Sequence, residues 1–132
     1  RLFPLADTTY DLIVSLIHDG GIHGWHFDSN EFAVSLMLEP SETGGVFEYV
    51  PDIRTHDDER FDDVTRVLSG ERHRVRSVAV TPGTLVLFRG HYALHRVSRV
   101  GGARPRCMAI MSFDRRPGMV LDNAGLRGDR TN

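Results

Sequence analysis

Only one cysteine, Cys107, occurs in the 132 residues. No disulfide within the chain can therefore brace the fold, and a reducing compartment, the cytoplasm, is the expected location. No apolar run reaches the roughly 18 residues that cross a bilayer as a helix, and no signal-peptide pattern opens the chain. Neither sign of charge is in excess. The 16 basic and 18 acidic residues leave a formal net charge of −2, without the basic surplus that marks a nucleic-acid or membrane-surface partner. Internal repeats and low-complexity tracts are also missing. What remains is the expectation of one domain over 1–132, able to bury roughly two thirds of its unfolded surface and to act on a small molecule. The opening Arg1-Leu2-Phe3-Pro4 carries no initiator Met, which is expected of a piece of a longer protein.

What the chain does contain is a succession of short segments rich in Val, Ile, Leu and Phe, separated by turn residues. Eight strands are predicted, at about 9–18, 22–27, 32–39, 45–50, 75–80, 85–89, 93–100 and 106–113. The segment Phe32 to Leu38 is almost continuously apolar, so it is expected to be covered on both faces. Gly44-Gly45 and Pro82-Gly83 read as turns. One segment breaks the rhythm: Asp57 to Ser69 is charged, with Phe61, Val64 and Leu68 on one helical stripe and Gly70 at the C-terminal cap. Pro51 to Arg60 reads as a surface loop and about 117–132 as an irregular tail. Eight short strands with one short helical insertion predict an all-β jelly roll enclosing a cavity.

Chemistry concentrates at His26-Phe27-Asp28 and, far along the chain, at His95. Residues i and i+2 of a strand share a face, so His26 and Asp28 can offer a nitrogen and a carboxylate oxygen to one ion. His95, from a strand expected to lie alongside, completes a 2-His-1-carboxylate face that leaves adjacent coordination positions open. The His-x-acid doublet alone carries little weight, because the chain has seven histidines and a second such doublet, His56-Asp57-Asp58. That second doublet lies in a polar run outside any predicted strand. His91 is the rival to His95, and its place directly after Gly90, in a turn, counts against it.

A third element is cationic. Arg104-Pro105-Arg106 opens the strongly apolar strand Cys107 to Phe113. Alternation puts Arg106 on the face of Met108, Ile110 and Ser112, and a guanidinium at the mouth of an apolar barrel calls for an anionic ligand. Arg104 shares that face, so either arginine could serve. Trp25, Asn30 and Glu48 are candidates to line the cavity, and Arg89 to meet a substrate carboxylate.

Taken together, His26-x-Asp28, His95 beyond a Pro-Gly turn and strand, and Arg106 opening the last strand resemble the iron(II)/2-oxoglutarate-dependent oxygenases. Gly44-Gly45-Val46-Phe47-Glu48-Tyr49-Val50-Pro51 and Leu94-His95-Arg96-Val97 look like the branch that acts on free amino acids and similar small metabolites. The resemblance covers about residues 10–118. It implies a double-stranded β-helix, cupin-like, and iron(II) held by His26, Asp28 and His95. It further implies 2-oxoglutarate held by Arg106, or by Arg104, and O₂ as co-substrate. Members that halogenate replace the metal carboxylate with a small residue, whereas Asp28 is present here, which favours hydroxylation. Members also carry helices before the core, and those are expected to be missing from this chain. The competing readings are a cupin-type metal-dependent dioxygenase or isomerase, and a β-sandwich binding module without chemistry.

Overall fold

The computed structural model describes residues 1–78 and 80–121. In chain order its elements are β1 (Phe3–Pro4), β2 (Leu12–Ile17), β3 (His23–His26), β4 (Phe32–Glu39), β5 (Thr43–Gly44), β6 (Phe47–Val50), α1 (Phe61–Leu68), β7 (Arg76–Val78), β8 (Leu85–Phe88), β9 (Leu94–Val97), β10 (Val100–Gly101) and β11 (Arg106–Asp114). The fold is mostly β, with two antiparallel sheets and one short helix among the described residues. The larger sheet runs β1-β11-β4-β8, with β2 also paired to β11, and the smaller runs β3-β9-β6-β7; β5 and β10 form a two-stranded ribbon.

Between the sheets lies a cleft, and the strand periodicity explains how it is lined. In β4, Ala33, Ser35 and Met37 are buried, while the alternate residues are half-buried or exposed. In β11 the inward set is Arg106, Met108 and Ser112. Ser15 opposes Met108 across the β2–β11 ladder, and Ser35 opposes Ile110 across β4–β11.

Coverage of β4 on both faces is not what the fold provides. The outer face of the larger sheet carries Leu12, Val14, Leu16, Leu85 and Leu87, each more than half exposed. No described element packs on it, so the apolar run of β4 is buried on its inner side only.

The main apolar cluster lies on the far side of the smaller sheet, under the helix. Val50, Ile53, Val67 and Leu94 are buried together, with Trp25, Phe27, Val64 and Val75 packed against them. Burying each of these aliphatic side chains contributes about 1.5–3 kcal/mol. The loop after β6 is thus anchored by Ile53 rather than lying wholly on the surface. The predicted helical stripe is out of phase: Phe61 and Leu68 are exposed, and Val64 and Val67 face the sheet. The helix starts at Phe61, directly after the predicted loop, where Arg60 adopts a left-handed backbone (φ 52°). There its amide donates to the Asp58 carboxylate and its guanidinium to Asp63.

A single strand over 93–100 is likewise divided. Ser98 donates its amide to the Val46 carbonyl, and its hydroxyl accepts from the Val46 amide. The chain therefore leaves the smaller sheet at Val97 and pairs with β5 from Val100. Most of the predicted irregular tail, 122–132, lies outside the described residues.

Candidate metal centre

The two imidazoles come from neighbouring strands. His26 of β3 is paired directly with His95 of β9, and a bulge between His23 and His26 shifts the register. A bulge adds a residue on one strand and re-aims its side chains. Here it puts His23 and His26, three positions apart, on the same side, with ring centroids 4.1 Å apart and stacked. His26 and His95 also lie 4.1 Å apart, tilted. Each Nδ1 meets the carbonyl two residues upstream, Gly24 for His26 and Ala93 for His95, at 2.8 Å in both cases. A carbonyl can only accept, so in each ring Nδ1 carries a proton and Nε2 is the atom turned towards the cleft. This is the ring orientation in which an imidazole offers Nε2 to a metal.

Both Nε2 atoms converge on Asp28. Its Oδ1 is 3.6 Å from His26 Nε2 and 3.3 Å from His95 Nε2. One ligand atom from each of the three residues lies within 4.8 Å of the others. Asp28 is past the end of β3, so it is held not by the β3–β9 ladder but by its amide donating to the Gly90 carbonyl at 3.0 Å. Burial pushes its carboxyl upward, but the contacts with His26 and His95 outweigh that and hold it well below the ordinary carboxylate range. With Nε2 deprotonated, two imidazole nitrogens and one carboxylate oxygen are the donor set of a facial triad for iron(II), with further coordination positions left for ligands.

Below the triad the cleft runs to Arg106 through Val97, Phe47, Phe88, Ser35, Met108 and Ile110. Phe88 meets the His95 ring edge-on at 5.0 Å. Arg106 is buried, at 4% exposure. Its Nε donates to the Gly45 carbonyl at 3.0 Å. Burial pulls the guanidinium below its ordinary value, with no carboxylate among the described residues acting on it. A buried cation without a counter-charge is costly, so the cleft is built for an anion at this end. All the basic residues of this chain are arginines, which leaves the bidentate fork as the available recognition group.

The remaining candidates lie outside the cleft between the triad and Arg106. Arg104 is half exposed and paired with Glu39, its Nε donating to the Pro40 carbonyl. His91 lies outside the three-residue cluster, with Nδ1 bonded to the Asp28 carbonyl at 3.0 Å. His56, Asp57 and Asp58 are exposed in the loop before α1. Glu48 is paired with Arg96 at 2.5 Å; Trp25 packs against the apolar cluster under the helix and Asn30 donates to the Phe32 carbonyl, and both also line a second opening beside His26 and Asp28. Arg89 is engaged by Glu31 and Asp52. Residues that pattern reading passed over are His23, Phe47 and Phe88 in the cleft wall, and Gly90 against Asp28. His23 was findable only with the bulge in hand. Phe47 and Phe88 follow from strand alternation once the inner face is known.

Two antiparallel sheets enclosing a His-Asp-His cluster above a buried arginine fit the class of iron(II)/2-oxoglutarate-dependent oxygenases. The sequence matches the family Halogenase D over residues 3–120, and the chain belongs to that family. Among solved structures it is similar to a prolyl 4-hydroxylase from Phytophthora capsici, with a TM-score of 0.50 and 17% sequence identity. The match covers 96% of this chain and 42% of that one. At that identity the likeness concerns the fold, and the chain spans less than half the length of that relative. No curated protein sequence matches.

Proposed function

We propose that this chain is the core of a hydroxylase that inserts one oxygen atom into an unactivated C–H bond of a small polar substrate such as a free amino acid, on a double-stranded β-helix. His26, Asp28 and His95 would hold iron(II), and Arg106 would bind the far carboxylate of 2-oxoglutarate. Iron(II), O₂ and 2-oxoglutarate supply the oxidising chemistry when bound, with succinate and CO₂ as the other products. The observation that carries the reading is the convergence of both Nε2 atoms on the Asp28 carboxylate.

The chain's own contribution is positioning and exclusion of water. The Gly24 and Ala93 carbonyls fix the ring tautomers. Phe47, Phe88 and Val97 keep the space beside His95 apolar. The Gly44-Gly45 turn, with φ of 63° and 62°, brings the Gly45 carbonyl onto Arg106. A Cβ at Gly45 would meet the Arg106 Cδ at 3.0 Å, so glycine leaves room for the guanidinium stem. A second opening, lined by Tyr10, Ile13, His23 and Ile110, reaches the outer edge of His26 and Asp28 and offers the substrate its approach.

Halogenation is the second reading, favoured by the family's name. It is opposed by Asp28, which fills the coordination position that a halide would need. The test is turnover of the protein with iron(II), 2-oxoglutarate, chloride and a panel of free amino acids, followed by mass spectrometry. A product heavier by one oxygen, with stoichiometric succinate, supports hydroxylation; a chlorinated product overturns it.

A further inference from the structure

We propose that Gly90 is a positioning residue for Asp28, and that the absence of a side chain at 90 keeps the carboxylate aimed between the two imidazoles. The inference rests on reading the His-Asp-His cluster as a metal centre.

Gly90 is not among the glycines with positive φ, so a left-handed backbone is not what calls for glycine there. What excludes a side chain is proximity. A Cβ at position 90 would lie 1.8 Å from Asp28 Oδ2, 2.5 Å from its Cγ and 2.9 Å from its Cβ. All three nearest atoms belong to the aspartate, so an added methyl meets the metal-facing side chain and nothing else so closely.

Two outcomes would relieve the overlap: retreat of the backbone or rotation of the carboxylate. The backbone is pinned on both sides of Asp28. Its amide donates to the Gly90 carbonyl at 3.0 Å, and its carbonyl meets His91 Nδ1 at 3.0 Å. The turn that carries Gly90 is fixed in its own right. Tyr92 and Ala93 donate to the Arg89 carbonyl, Ile53 donates to that of Tyr92, and Arg54 Nε donates to that of His91 at 2.7 Å. Arg54 is held against the Phe27 ring at 3.8 Å. With both main-chain segments tied, the free coordinate is the Asp28 side-chain torsion. Rotation about it swings the carboxylate away from His26 and His95 and leaves a two-histidine site.

The experiment compares the wild type, Gly90→Ala, Asp28→Gly and the double variant by cobalt(II) titration and by melting of the metal-free proteins. Gly90→Ala is expected to weaken cobalt(II) binding roughly 10- to 100-fold and to lower the melting temperature. In the Asp28→Gly background, where the colliding atoms are gone, the same substitution is expected to change neither. Wild-type cobalt(II) affinity in Gly90→Ala overturns the proposal. So does an equal loss of melting temperature in both backgrounds, which would make Gly90 a residue of the turn alone. A wild type that binds no divalent metal removes the metal-centre reading, and the melting comparison then decides whether residue 90 is coupled to Asp28.

Discussion

His95 Nε2 lies 3.3 Å from Asp28 Oδ1, although the two residues come from opposite halves of the chain. The contact depends on β3 lying against β9 and on the loop at Gly90 closing over Asp28. The strand pairing and the chemistry are therefore one arrangement, and disturbing either atom is expected to disturb the centre.

Asp28→Ala is expected to abolish substrate-dependent succinate formation. The two imidazoles then lack the anionic ligand, and a metal that binds at all does so more weakly. The check is succinate released per unit time with iron(II), 2-oxoglutarate and an accepted substrate. Undiminished turnover would refute the ligand assignment.

Arg106 and Arg104 are expected to behave oppositely. Loss of a buried charge-assisted contact costs about 2–5 kcal/mol, so Arg106→Met should raise the 2-oxoglutarate KM by at least about 30-fold. Because Arg106 is buried without an anionic partner, the same variant should melt no lower than the wild type in the absence of 2-oxoglutarate. Arg104→Ala, at an exposed surface pair, is expected to change either value little. A KM effect confined to Arg104→Ala would move the anion site to the rim.

Acid sensitivity is expected to pass partly through Asp114. Burial raises its carboxyl, but the hydrogen bonds and charge of Arg116 outweigh that, and the net displacement is downward. A carboxylate whose folded value is depressed contributes stability above its unfolded value of about 3.9. That contribution is lost as pH falls through the folded value. Asp114→Asn should therefore melt below the wild type at neutral pH, with the gap closing as acid protonates Asp114. A gap that widens in acid would reverse the sign of the argument.

Leu94 faces away from the cleft, into the cluster with Val50, Ile53 and Val67, while its neighbour His95 faces the triad. Leu94→Ala is expected to lower stability by about 2–5 kcal/mol and to leave the number of metal ions bound per folded chain unchanged. Chemical denaturation and metal analysis of the folded fraction check the two halves separately.

Much of the centre was legible because its signals are local. His26 and Asp28 stand two apart beside an apolar strand, and Arg106 opens a strand whose alternation sends it inward. The eight predicted strands all occur among the described residues: 32–39 keeps its bounds, 106–113 extends to Asp114, 93–100 is split at Ser98, and the others are shorter at one or both ends, position 79 of the predicted 75–80 lying outside the described residues. What escaped pattern reading depends on contacts between distant segments. The β3 bulge is set by pairing with β9 and decides that His23 joins His26 in the cleft. Asp28 sits beyond the strand, so its orientation comes from Gly90, not from strand period. The helix phase was misjudged because Phe61, at the start of α1, stays in solvent while Val64 and Val67 reach the core. The outer face of β4 is only half-buried because no described element packs there, a fact invisible in the apolar run itself.

Anaerobic titration of iron(II) into the wild type, His26→Ala, His95→Ala and His91→Ala tests the central claim most directly. The account predicts one ion per wild-type chain, binding lost in the first two variants, and an ion retained in His91→Ala. Loss of binding in His91→Ala with retention in His95→Ala, or no iron bound by the wild type, would contradict it.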